Sequence, residues 1–157
     1  MGEWIMEEDI LGFLRHSPLF VGFNNEQFQT LLPLALIQEY AAGDKIVKEG
    51  ESGDRFFVLK EGTLDIIKES EDGGSHVLAS LGKEGDFFGE MAVIDIQPRS
   101  ATVIARELSK VVVFTNVALV ELFDSFPEVL SVVALNIARV LSMRLRTVDE
   151  ALAALSG

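Results

Sequence analysis

Glu90 and Arg99 are the residues in this chain whose types and spacing suit chemistry on a small ligand. They lie in the run Gly89-Glu90-Met91-Ala92-Val93-Ile94-Asp95-Ile96-Gln97-Pro98-Arg99-Ser100-Ala101-Thr102-Val103. Gly89 permits close backbone approach and an unusual φ. Residues 89–93 suit one helical turn, whose free N–H groups would face a bound anion. Glu90 offers a carboxylate at the same end. Pro98 restricts the backbone just before Arg99, and Arg99 opens the strand-like SATVIA. A guanidinium there makes paired hydrogen bonds to a phosphate. Ala101 is small, so its N–H is reachable. One acid for a hydroxyl pair and one base for an anion suit a sugar phosphate. The alternative is a surface Glu–Arg ion pair closing a loop, and spacing alone weighs the two equally. Such a pair contributes little to stability. It would not require Gly89, Pro98 and Ala101 around it.

Other chemistries find little support. The 157 residues contain no cysteine and only two histidines, His16 and His76. Disulfides, thiol nucleophiles and a three-histidine metal site are therefore excluded. No Ser/His/Asp set can be assembled, and a cupin-type enzyme would want a histidine-rich site. His76 reads as an ordinary strand histidine, and His16 as a dipole contact at a helix end. The expectation is a chain with no catalytic residue, no metal and no cofactor. Thirteen basic against 25 acidic residues give a net charge of −12. That disfavours nucleic acid and anionic membranes as partners. No stretch approaches the ~20 apolar residues of a membrane span, and the N-terminus lacks a signal pattern. The expected location is cytoplasmic.

Three textures succeed one another along the chain. Residues 1–35 read as N-terminal helices. One covers 3–15, with Trp4, Ile5, Ile10, Leu11 and Leu14 on one face. The second is NEQFQTLL, capped by Asn24 or Asn25 and stopped by Pro33. Residues 36–115 hold short runs between glycine-rich turns: LIQEYA, KIVKE, RFFVLKEG, TLDIIKE, HVLASLG, SATVIAR and KVVVFT. Turns every 8–12 residues predict an all-β sandwich or barrel. Residues 116–157 turn helical again. NVALVELFDSF forms one helix, and a long one runs from Pro127 to the end. Leu141, Leu145, Val148, Leu152 and Leu155 are spaced like a coiled-coil seam. The seam favours self-association, and packing on the chain's own barrel is the alternative.

FGEMAVIDIQPRSATV resembles the phosphate-binding cassette of cyclic nucleotide-binding domains. That family includes protein kinase A regulatory subunits, cyclic-nucleotide-gated channels and bacterial catabolite activators. Ala42-Gly43-Asp44, Gly50 to Asp54, Phe57 to Gly62 and Leu81 to Phe87 match its turn glycines and strands, so the resemblance covers about residues 17–145. It implies a mainly β fold with flanking α. This is a double-stranded β-helix (jelly-roll) barrel with N-terminal helices and a long C-terminal helix, and a cassette at 85–103. It also implies roles. Arg99 would pair with the cyclic phosphate, and Glu90 would accept from the ribose 2′-OH. The amides of Gly89, Met91, Ala92 and Ala101 would hold ribose and phosphate, and Ser100 would bond phosphate or base. The base would lie against Val47, Ile66, Ala79 and Ser80. Val140, Leu141, Arg144 and Leu145 of the long helix would close over it.

The resemblance points to a non-enzymatic, bacterial regulatory module. It would sense cAMP, favoured over cGMP because Ser occupies position 100, and would transmit binding through the C-terminal helix. Its partners would be the nucleotide, a second copy of itself through that helix, and an unknown downstream protein. Two alternatives remain: a ligand-independent dimerising scaffold, and the sensor fragment of a larger Crp/Fnr-type regulator whose DNA-reading domain would begin near Gly157.

Overall fold

The computed structural model describes residues 7–90 and 97–156. Trp4 and Ile5 of the expected first helix, and Met91 and Ala92 of the expected helical turn, lie outside the described residues. Helix α1 spans Glu7–Arg15. It packs Phe13 and Leu14 into the core, with Ile10 and Leu11 half-buried beside them. His16 follows it, its Nδ1 2.6 Å from the Gly12 carbonyl oxygen. A 3-10 turn, Pro18–Phe20, is capped by Ser17. Helix α2, Asn25–Leu31, starts with a capping box between Asn24 and Gln27. Pro33 sits in the 3-10 turn that ends it, Leu32–Leu34.

Eight strands follow: β1 Leu36–Tyr40, β2 Lys45–Val47, β3 Arg55–Glu61, β4 Leu64–Glu69, β5 Ser75–Leu81, β6 Phe87–Phe88, β7 Thr102–Ala105 and β8 Ser109–Thr115. They form two antiparallel four-stranded sheets, ordered β1-β8-β3-β6 and β2-β7-β4-β5. The expected mainly β architecture with flanking helices is found as two antiparallel sheets, and among the described residues these sheets do not close into a barrel. The edge strands β2 and β6 are three and two residues long, too short to carry a ladder round a closed circumference.

The runs Phe56-Phe57-Val58-Leu59 and Val111-Val112-Val113-Phe114 are apolar at every position because their sheet is covered on both faces. Phe57, Leu59, Val111 and Val113 turn towards the second sheet, where they meet Val47, Leu64, Leu81, Val103 and Ala105. Phe56, Val58, Val112 and Phe114 turn the other way, against the helices. Period-two alternation thus divides one sheet between two cores.

Helix α3, Asn116–Ser125, is capped by Thr115. Helix α4, Glu128–Ser156, buries Val129, Val133, Asn136 and Ile137. Its second half is exposed, including Met143, Leu145, Val148, Leu152 and Leu155. No described helix is long and apolar enough to cross a membrane. Asn136 is 2% exposed, and its Nδ2 donates to the carbonyls of Leu19 and Val21, both at 2.9 Å. Asn136→Leu leaves those carbonyls without this donor. It is expected to lower stability by about 1–3 kcal/mol in urea unfolding. An unchanged midpoint would show that the side chain does not hold α4 against the N-terminal turn.

Candidate nucleotide-binding site

Strands β3 and β6 together flank Arg99 and Arg144. Strand β6 pairs with β3 in the register Phe57↔Phe88 and Val58↔Phe87. The two phenylalanines therefore face opposite sides of the sheet. Phe88 stacks on Phe57 with ring centroids 4.7 Å apart and 6° between planes. The Arg99 Cζ lies 6.0 Å from the Phe57 ring centre. On the helix side, the Arg144 Cζ lies 5.4 Å from the Phe87 ring centre. A cation over an aromatic face is attracted by the ring quadrupole.

Arg99 is held at both backbone and side chain. Its N–H donates to Glu51 O at 2.8 Å, and its carbonyl accepts from Gly50 N at 2.9 Å. Nη2 donates to Arg55 O at 2.7 Å and Nη1 to Gly89 O at 3.2 Å. The guanidinium has five N–H donors, so these two bonds orient it and leave others for an anion. Burial pulls its pKa below the ordinary arginine value, opposed first by the charge of Asp54.

Glu90 is 4% exposed. Burial pushes its carboxyl above the ordinary range, opposed by its own backbone hydrogen bond and by the charges of Arg144 and Arg99. Arg144 reaches it from α4: Nη1 donates to Glu90 Oε1 at 3.4 Å, and Nη2 to Phe87 O at 2.7 Å. The carboxylate and the long helix are thus in direct contact.

These groups border a cavity of about 330 Å³, lined by Val47, Ile66, Phe88, Gly89, Glu90, Gln97, Pro98, Arg99, Ser100, Ala101, Val103, Leu141 and Arg144. That volume falls in the range of small-molecule sites, about 300–1,000 Å³. One wall is apolar, another carries Glu90, Arg99 and Arg144, and α4 supplies part of the rim. A polar cavity of about 250 Å³ adjoins it and shares Val47 and Arg99.

The structure brings together Val47, Ile66, Gly89, Glu90, Arg99, Ser100, Ala101, Leu141 and Arg144 as the sequence suggested. Ala79, Ser80 and Val140 do not line the cavity. Strand register explains the first two. Val47, Val103, Ile66 and Ala79 form one row across β2-β7-β4-β5. Ala79 is at the outer strand of that row and exposed. Ser80 pairs with Asp65, one position out of step with Ile66. Its Oγ bonds Asp65 Oδ1 at 2.7 Å and accepts from Arg106 at 2.9 Å. Val140 packs against the helix-side core, and Leu145 is 61% exposed. Sequence reading did not assign Phe88, Gln97 or Val103 to the site. Val103 was legible as the residue alternating with Ala101; Gln97 carries no such signal. Among the described residues no cluster of three metal-ligating side chains occurs.

A two-sheet fold thus sets a glycine-flanked acid and an arginine around a small-molecule-sized cavity, beside the middle of a long helix. The cyclic nucleotide-binding domain profile matches residues 37–126, and the chain belongs to that family. A cAMP-dependent protein kinase regulatory subunit from Yarrowia lipolytica is 35% identical over 100 residues, covering 64% of this chain and 26% of that one. A mouse cGMP-dependent protein kinase 2 is 31% identical over 101 residues, covering 64% and 13%. The N-terminal domain of a transcriptional regulator from Streptomyces coelicolor A3(2) superposes at a TM-score of 0.72 with 31% identity, covering 89% and 94%. The alignments with these two kinase relatives cover 13–26% of their length.

Proposed function

We propose that this domain binds cAMP in the Arg99–Glu90 cavity and passes the binding event to helix α4. The observation that carries the reading is the joint position of Glu90. It lines the cavity where a ribose hydroxyl would donate to it, and it is also the group that Arg144 of α4 contacts. Arg99 and the Ala101 N–H take the phosphate, with Gly89, Met91 and Ala92 supplying backbone donors. Val47, Ile66 and Val103 face the base, and Ser100 meets phosphate or base. Relatives named for cAMP and for cGMP are both similar to this chain, so the preference for cAMP rests on Ser100.

A ligand that binds two helix positions unequally shifts their populations by its differential affinity and no more. Because Glu90 is shared, nucleotide and Arg144 meet on one carboxylate, and the helix senses occupancy. The expected result in hydrogen–deuterium exchange is a cAMP-dependent change in residues 138–146 of the parent chain. That change shrinks in Arg144→Met. Binding that leaves α4 exchange untouched would contradict the coupling. The exposed leucines of α4 support a homodimer, which light scattering with and without nucleotide tests. The downstream partner is then a protein, with neither nucleic acid nor membrane recognised by these acidic residues. Bacterial origin and cytoplasmic location belong to this same reading.

The binding itself is tested by thermal shift with cAMP, cGMP and cyclic dinucleotides. A ligand at 100 times its Kd adds about 2.7 kcal/mol of stability. A ligand-independent scaffold responds to none of them.

A further inference from the structure

The wall that carries Ser100 and Ala101 has a support behind it. Both residues line the cavity, whereas Lys68 does not. Lys68 Nζ donates to Ser100 O at 2.7 Å and pairs with Glu49 Oε1 at 2.8 Å. The other Glu49 oxygen, Oε2, accepts from Glu69 N at 3.4 Å. The Glu49 N–H donates to Thr102 Oγ1 at 3.0 Å. The ammonium is therefore held by an acid that is tied to β4 and β7 together.

Lys68 stands where the ladder between those strands runs out. The register goes from Leu64↔Ala105 to Ile67↔Thr102, and Lys68 and Ala101 are the next positions. The lysine side chain takes over from the missing rung. No described peptide is cis. In a trans peptide the C=O of one residue and the N–H of the next point in opposite directions. A cation fixed on Ser100 O therefore fixes the direction of the Ala101 N–H on the other side. It also draws electron density from the peptide, which strengthens that N–H as a donor.

We infer that Lys68 is a positioning residue: it orients and polarises the Ser100–Ala101 peptide so that the Ala101 N–H donates to an anionic phosphate in the cavity. The inference rests on the nucleotide reading above. Lys68 touches the ligand nowhere in this account and acts only through the peptide.

The test uses the full chain with cAMP as probe, and compares the parent with two variants of one position, Lys68→Met and Lys68→Arg. Calorimetry gives the affinity, and NMR gives the Ala101 amide proton in the nucleotide-bound form. Lys68→Met is expected to weaken binding about five- to thirtyfold and to move that proton upfield. Lys68→Arg keeps a cation at the carbonyl and returns the affinity to within about threefold. A merely structural lysine would shift the melting temperature without moving the Ala101 proton. Equal affinity in the parent and Lys68→Met overturns the inference alone. So does an affinity loss with the Ala101 proton unmoved, or a Lys68→Arg chain as weak as Lys68→Met. A parent chain that binds no cyclic nucleotide overturns the nucleotide reading, and this inference with it.

Discussion

Arg99→Ala lowers the affinity for cAMP by about 2–5 kcal/mol, roughly 30-fold to several thousandfold, in a calorimetric titration. The size follows from what the phosphate would face without the guanidinium. Val47, Ile66, Phe88 and Val103 make the rest of the cavity largely apolar. An anion pressed against such walls has lost its water and keeps only neutral N–H and hydroxyl donors, with no charge opposite its own. Arg99→Lys also weakens binding. The planar fork of arginine spans the carbonyl oxygens of Gly89 and Arg55 and still has donors left for the ligand. A single ammonium has three donors on one point and cannot hold that geometry. A chain with Arg99→Ala that binds cAMP as tightly as the parent would show that the phosphate sits elsewhere.

Gly89→Ala damages the same site through the backbone. Gly89 has φ +80°, a conformation that costs an L-residue about 1–2 kcal/mol. A Cβ there would stand 2.8 Å from Arg99 Nη1, 3.2 Å from Arg55 O and 3.4 Å from Phe56 Cα. The guanidinium tip is the soft neighbour, so it is the one that moves. The hydrogen bond from Nη1 to Gly89 O is then lost, and the fork no longer points as a phosphate requires. The expected result is at least about tenfold weaker cAMP binding, equivalent to one bond of this charge-assisted kind, together with a lower melting temperature. An alanine variant with a lower melting temperature but unchanged affinity would mean that Arg99 does not depend on this glycine.

Much of this architecture was legible in the residues. Strands such as Arg55–Glu61 and Ser109–Thr115 announce themselves, because a sheet buried on both faces needs unbroken apolar runs. The acid and the arginine were legible from their glycine and proline neighbours. Strand β6 was not. Two phenylalanines between Asp86 and Gly89 are too few to show a period, yet Phe88 stacks on the Phe57 ring beneath Arg99 and Phe87 lies under Arg144. Periodicity left sandwich and barrel open together, since it reveals strands and not which edges meet. Ala79 and Ser80 lay in a recognisable strand, but register with Ile66 and Asp65 decides their surroundings, and register depends on pairing across the sheet. The contact from Arg144 to Glu90 joins residues 54 positions apart. Helical spacing could place Arg144 near the cavity but could not name its partner.

The most direct measurement is a crystal structure of the chain grown with cAMP. It is predicted to show the cyclic phosphate within hydrogen-bond distance of the Arg99 guanidinium and the Ala101 N–H, with the ribose hydroxyl on Glu90. A nucleotide bound outside this cavity, or one inside it with Arg99 still engaging only the carbonyls of Gly89 and Arg55, would contradict the account.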